Sequence, residues 1–500
     1  MILQSPFFLP IFLLLLFVVL LISLTRKLAS EKKNSPSFPG PRRLPLIGNL
    51  HQLGSYPHHS LHELAVKHGH LMFLQLGSIP SLVISSSDAV REVFKSHDIA
   101  FSGRPALYAA SKLSYSFLDI AFANYGEYWR QARKICVLEL LSVKSVQSFR
   151  AIREEEVALL VTNIRRMSSS NAPFDFSEML ISLTNKITRH VAFGDHVGSG
   201  RRFNRILIET QKLLGGFWVA DYFTWLGWID AVSGMRGRLA RNFKELDEFY
   251  DQVIEEHSNA SRAGEAQKED LVHVLLRLHK DPIYGSTFSS RNHIKGILTD
   301  IFTAGSDTSS ATLEWTMTEL MRNPEVMAKA QQEVRSIIGN KGKVEEHDLE
   351  HLNYLKLVIK EALRLHPPAP LLVPRETIEN CMIKGHTIPS KTRVFINAKA
   401  IGMDPNAWRN PTYFWPERFV DNDVDFRGQD FSLIPFGIGR RSCPGINFGV
   451  AIVELVLANL LYCFDWELPF GMRKENLDLE EEVGLTVHRK NPLYLTAKPW

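Results

Sequence analysis

The segment Phe436-Gly-Ile-Gly-Arg-Arg-Ser-Cys443-Pro-Gly445 commits ten residues to presenting one sulfur, so the chain has to fold around whatever that sulfur holds. Gly437, Gly439 and Gly445 open backbone angles that other residues avoid and let the main chain approach a flat partner with no Cβ in the way. Amides of the loop are then free to point at Cys443. With Arg440 and Arg441 beside it, the thiolate is the expected form, and the thiolate is what binds metal. A cysteine that merely fills a core needs none of these glycines. Only four cysteines occur in 500 residues. Cys136, Cys381 and Cys463 are scattered, which fits reduced thiols and gives no disulfide framework.

A second cluster, Ala304-Gly305-Ser306-Asp307-Thr308-Ser309, interrupts an apolar stretch of helical spacing between Ile297 and Leu320. Gly305 costs about 1 kcal/mol in a helix interior. The hydroxyls of Ser306, Thr308 and Ser309 can bond back to carbonyls of the preceding turn, so a kink is predicted. A groove opened there has room for a diatomic molecule and a water, with Asp307 and Thr308 as acid and hydroxyl to relay protons. Taken alone, the cluster suits a bent surface helix equally well.

Trp129-Arg-Gln-Ala-Arg133 puts an indole N–H and a cation one turn apart, predicted to converge on one acceptor. Glu361-Ala-Leu-Arg364 places opposite charges on one helical face, ahead of the helix stop His366-Pro367-Pro368. Together these motifs resemble the cytochrome P450 superfamily over essentially the whole chain. The Phe, Gly, Arg, Cys, Gly spacing is similar to its haem-ligand signature, and Ala304 to Ser309 matches every position of its oxygen-activation motif. The resemblance implies haem b (iron protoporphyrin IX), with Cys443 as the axial metal ligand whose thiolate pushes electron density onto iron. It further implies that Phe436 and Gly439 shape the haem pocket and Phe436 covers the sulfur. Trp129, Arg133, Arg375 and Arg441 would face haem propionates, and Asp307 and Thr308 would be catalytic. For Arg375 an ordinary strand-end cation remains the alternative. Glu361 and Arg364, with Arg418 of Pro416-Glu-Arg-Phe419, would form a buried structural triad in which removing one partner strands a charge.

Neither HExxH nor GxxxxGK[ST] occurs, and the GxG of the cysteine loop lacks a strand-turn-helix setting. If reducing equivalents come from NADPH, another protein has to bind it, and the resemblance implies NADPH-cytochrome P450 reductase, with cytochrome b5 as a further electron donor. Six histidines lie from His51 to His70, and His347 and His351 sit at helical spacing, yet no carboxylate or cysteine is seen to complete a metal set. A formal charge of +4 is small for this length and leaves no nucleic-acid footprint.

Phe7 to Leu24 is almost wholly Leu, Phe, Val and Ile, and at about 1.5 Å per residue it approaches the roughly 30 Å of a bilayer core. No charge precedes it, while Arg26, Lys27, Lys32 and Lys33 follow. That order is the reverse of a signal peptide and holds the carboxyl side in the cytosol. Residues 1–33 are predicted as a membrane anchor, 34–46 as a proline-rich hinge and 47–500 as one haem-thiolate catalytic domain. The resulting expectation is a single-pass protein of the endoplasmic reticulum membrane with a cytosolic body. Amphipathic periods predict helices over 127–141, 152–167, 176–192, 238–256, 294–321, 324–338, 354–365 and 445–463, with Glu255 to Asp270 as a loop. Strands are predicted at 71–76, 81–85 and 393–398. The predicted fold is mainly α with small β-sheets: the single triangular helical body of the family enclosing haem, plus an N-terminal transmembrane helix.

The activity implied is insertion of one oxygen atom from O2 into an apolar small molecule. Phe38-Pro-Gly-Pro-Arg, Ala304 to Ser309 and Leu371 to Glu376 look like the plant specialised-metabolism branch, which points to a terpenoid or alkaloid. Phe101 to Phe122, the Ala304 turn, Ala369 to Val373 and Gly484 to Val487 are predicted to line the pocket. A haem-thiolate isomerase or dehydratase acting without O2, a haem sensor or electron carrier, and a scaffold without cofactor are the alternatives.

Overall fold

The computed structural model describes residues 39–169, 172–194, 200–263 and 269–500, so the predicted anchor and the first part of the hinge lie outside it. Helices carry most of the described chain, as its long amphipathic periods require. Those that frame the interior are α1 (Ser87–His97), α2 (Glu127–Ile135), α3 (Arg150–Ser168), α4 (Phe176–Phe193), α5 (Met235–Ala263) and α6 (Leu271–Lys280). They are followed by α7 (Arg291–Gly305), α8 (Asp307–Arg322), α9 (Pro324–Ile338), α10 (Asn353–Leu365) and α11 (Ile446–Cys463).

Helices α8 and α11 form the centre. Every residue of α8 from Ser309 to Met321 is buried, and it packs on α4, α10 and α11. Helix α11 is apolar on all sides because α3, α8, α9 and α10 surround it. Among the described residues it is the one helix long and apolar enough to cross a bilayer, and its place is the core.

The predicted helix over 294–321 is two helices, broken at Ser306, whose φ and ψ are −91° and −50°. The physical reason is the one read from the sequence. Ser306 Oγ donates to Phe302 O at 2.9 Å, Thr308 Oγ1 to Ala304 O at 2.6 Å and Ser309 Oγ to Gly305 O at 3.1 Å. The stretch 127–141 is also not one regular helix: α2 ends at Ile135 and a wider π turn spans Cys136–Leu140. The polar stretch predicted as a loop from Glu255 is helical as far as Ala263. Buried Tyr250, Val253, Ile254 and His257 continue the helical period beneath its polar face. Asp270 then caps α6, accepting His273 N–H at 2.9 Å.

Strands β1 (Leu71–Leu76), β2 (Ile79–Ile84), β3 (Arg375–Glu376) and β4 (Arg393–Ile396) form one sheet in the order β1-β2-β4-β3. β2 and β4 run parallel, with Ser81 opposite Arg393 and Ile84 opposite Ile396. β4 stops before Ala398 because Asn397 turns to cap a short helix, accepting Ala400 N–H at 3.0 Å. Arg375 on β3 pairs with Val394 in register. A two-stranded hairpin near the carboxyl end joins β5 (Glu481–Glu482) to β6 (His488–Arg489), and β6 packs against α8.

The expected triad is present geometrically. Arg364 meets both Glu361 oxygens at 2.7 Å, and Arg418 Nε meets Oε1 at 3.0 Å. Arg364 also donates to the carbonyls of Gly402, Pro411 and Tyr413, so every donor leaving water finds an acceptor.

Candidate active site

A cavity of about 300 Å³ opens between the Cys443 loop, the α7–α8 break and the sheet edge at β3. Cys443 N–H donates to Phe436 O at 2.8 Å, which closes the loop and leaves the sulfur facing the cavity. Burial pushes the Cys443 thiol up; the Gly445 N–H and the Arg133 charge oppose this. The cations expected to act on the sulfur act elsewhere. Arg440 turns to Asp98, with Nε 3.2 Å from Oδ2, and Arg441 turns to backbone carbonyls. Gly437 and Gly439 have φ of +72° and +65°, and a Cβ on Gly439 would sit 2.2 Å from Asp98 Oδ1. Gly445 differs from expectation: its φ is an ordinary −91°. Phe436 lines the cavity and packs on Phe426 at 5.3 Å between ring centroids.

All four predicted pocket segments contribute to the lining, through Ile120 and Phe122, Ala304 and Gly305, Ala369, Leu372 and Val373, and Leu485 with Thr486. Most of that wall is apolar. Arg133, Arg375 and Arg441 form its basic rim, whereas Trp129 and Gly439 stand behind it. Trp129 and Arg133 do not share an acceptor. The indole donates to Ile120 O at 3.0 Å, and Arg133 donates to Ser442 O at 2.7 Å. It is Arg441 that joins Trp129: it donates to Ile120 O at 3.2 Å and lies 4.2 Å over the indole ring. Arg441 also holds Ser102 O and Ala123 O at 2.8 and 2.7 Å. Arg375 is 2% exposed, donates to Ile438 O, and leaves Nη1 buried with no hydrogen-bond partner. Burial, with repulsion between Arg375 and Arg441, disfavours the charge on Arg441.

Thr308 lines the cavity; Asp307 does not. The Asp307 carboxylate turns to β6, where Oδ1 lies 2.9 Å from His488 Nε2. Three further groups escaped the sequence reading. Buried Arg104 ties the cavity wall together through Ala121 O, Val373 O and Pro374 O at 2.6–2.8 Å. No local pattern marks it, since two of its partners are about 270 residues away. Asp300 accepts the N–H groups of Ile120 and Ala121 at 2.6 and 3.1 Å, and its four-residue offset from Ala304 was a readable helical signal. Asp119 is buried against it, and burial raises both carboxyls; the Asp300 charge adds to the rise of Asp119, while the loop amides, Asp119 and Arg104 oppose that of Asp300. Carboxylates also reach the histidines. Glu481 Oε2 lies 2.6 Å from His58 and 3.0 Å from His59, with Lys399 3.2 Å from its other oxygen, while His347 meets Asp348 at 3.2 Å. Glu481 comes from 423 residues away, which hid it.

The family model described as Cytochrome P450 matches residues 38–496. The chain belongs to the cytochrome P450 family. It is 54% identical to Cytochrome P450 71A9 of Glycine max over 98% of both chains. It is 55% identical to Strychnine-11-hydroxylase of Strychnos nux-vomica, covering 98% of this chain and 96% of that one. A zebra fish cytochrome P450 solved with progesterone has a TM-score of 0.74 at 24% identity, covering 89% of this chain and 99% of that one, which shows the shared fold. This P450 is an oxidoreductase of the monooxygenase class. The family binds haem and takes electrons from a redox partner.

The residues present fit that cofactor. A sulfur faces an apolar cavity whose rim carries Arg133, Arg375 and Arg441; Arg375 Nη1 has no hydrogen bond and only Asp98 Oδ1 at 3.9 Å as a counter-charge, so the rim has room for a further anionic group such as a carboxylate.

Proposed function

We propose that this P450 inserts one oxygen atom from O2 into an apolar alkaloid or terpenoid, with NADPH-cytochrome P450 reductase and cytochrome b5 as electron donors. Cys443 would hold the haem iron through its thiolate, and Arg133, Arg375 and Arg441 would hold the propionates. Bound haem supplies the iron at which dioxygen is activated. Around it, Thr308 lines the cavity, and its hydroxyl donates to the Ala304 carbonyl at 2.6 Å. Asp307, next in the chain, returns the proton that Thr308 passes on. Trp129 and Phe436 support the site from behind and beside. The observation that carries this reading is that the sulfur of the glycine-hinged Cys443 loop and the Thr308 hydroxyl at the helix break open on one apolar cavity. The hydroxylase activity in the name of the Strychnos relative favours an alkaloid.

Residues 1–33 anchor the body in the endoplasmic reticulum membrane by a single span, and its cytosolic face meets the reductase. An exposed apolar surface supports this orientation: Phe217, Trp225 and Trp228 are 58–64% exposed and Val232 79%. They adjoin the turn at Leu44 and Leu46, at the end of the hinge, where both are exposed. Gly77 links the two, donating to Ile47 O while Ser78 N donates to Tyr222 O at 2.9 Å. Microsomes containing this chain and reductase, fed candidate alkaloids and terpenoids, should give products heavier by one oxygen in mass spectrometry. Cys443→Ser should abolish both product and the red-shifted carbonyl spectrum of the reduced protein; a persisting red shift overturns the ligand assignment.

A further inference from the structure

His488 is a ring between two carboxylates. Its Nε2 lies 2.9 Å from Asp307 Oδ1 and its Nδ1 3.4 Å from Glu314 Oε2, both on α8, while its side chain keeps 20% of its surface exposed. Glu314 is held independently of the imidazole. Its Oε1 accepts the Ser177 hydroxyl of α4, and its Oε2 accepts Arg489 N–H at 3.3 Å. The other charged groups nearby are committed elsewhere or stand off: the Arg489 guanidinium is bound to Asp478 at 3.3 Å, and Glu482 of β5 lies opposite His488 across the hairpin. Burial disfavours the imidazolium, but the two carboxylates outweigh it and hold its pKa up to about 10. The ring is therefore charged at neutral pH.

Asp307 occupies the first position of α8, directly after the break, and neighbours the cavity-lining Thr308. Its side chain lies outside the cavity because it is paired with β6. We propose that His488 is the positioning residue of the proton relay, holding the Asp307 side chain turned off the cavity until a proton has to be supplied beside Thr308. This rests on the relay reading given above. Two features of the geometry support release as well as retention. When Asp307 swings away, Glu314 keeps the imidazolium paired, so no buried cation is stranded. The exposed edge of the ring also lets water reach the vacated position.

The test uses the full-length holoenzyme in microsomes with reductase, NADPH and O2, and no added substrate. His488→Gln removes the cation paired with Asp307, so the acid limb of NADPH oxidation should move to higher pH by about one unit. His488→Lys, which restores a cation, should keep the limb near its original place. In an Asp307→Asn background, His488→Gln should change neither the limb nor the peroxide released per NADPH. A melting-temperature cycle of the same variants on purified holoprotein, which needs no turnover, should show coupling between positions 307 and 488. A limb that stays put in His488→Gln, or an effect that persists without Asp307, overturns the assignment. If Asp307→Asn changes peroxide yield and His488→Gln does not, only the role of His488 falls. If Asp307→Asn changes nothing, the relay falls and this inference with it.

Discussion

Asp119 and Asp300 are two carboxyls enclosed against each other at the cavity wall. Both are raised, chiefly by burial, and Asp119 also by the charge of Asp300. Between the ordinary carboxyl range and the raised values, the folded protein keeps a proton that the unfolded chain has lost, so stability falls as pH rises through that window. Asp300→Asn keeps an oxygen to accept the Ile120 and Ala121 amides and removes the charge. It should flatten the fall and raise stability at pH 7 by on the order of 1 kcal/mol, read from melting temperatures between pH 4 and 7. A loss equal at every pH would show that the hydrogen bonds and not the charge decide. The same scale separates what a sequence displays from what it hides. Cys443 is legible because its glycines are local, whereas Arg104 and Glu481 act on partners hundreds of residues away, which no local spacing encodes.

Helix α7 and the loop before α2 meet at Gly296. A Cβ there would stand 2.3 Å from Leu118 O. One turn further along α7, Asp300 receives the amides of the same loop. Helix propensity alone favours alanine over glycine by about 1 kcal/mol, but forcing a methyl into a filled contact typically costs about 1–3 kcal/mol. Gly296→Ala should therefore lower the melting temperature; a rise would mean the loop moves aside freely. Elements with a strong period were readable, and Pro324–Ile338 and Leu71–Leu76 have the expected limits. Those whose apolar face is completed only by distant partners were not. Helix α6 and the β5–β6 hairpin are short, and β6 gains its place by packing on α8.

For the molecule as a whole, Trp225 and Trp228 project from one apolar surface beside the hinge, and each large aromatic buries about 150–250 Å² when it leaves water. With residues 1–33 deleted, the body should still sediment with phospholipid vesicles. Trp225→Ser together with Trp228→Ser should weaken that binding at least roughly tenfold. Unchanged sedimentation would place the membrane contact elsewhere. The helical class and the family were legible over the whole chain because their motifs are local and their periods long. How α4, α8 and α11 cross was not, since packing is a property of surfaces that come together only after folding.

By itself the sequence determined the cysteine loop, the break after Gly305 and the Glu361–Arg364 pair, because each depends on backbone freedom or on side chains within a few residues of one another. Tertiary structure decided which way the polar side chains face. It turned Asp307 to His488, Arg441 to Trp129 and the loop carbonyls, and Arg440 to Asp98. A charge takes the partner that compensates its lost hydration, and in a folded chain that partner is set by what packs nearby, not by what precedes it in order.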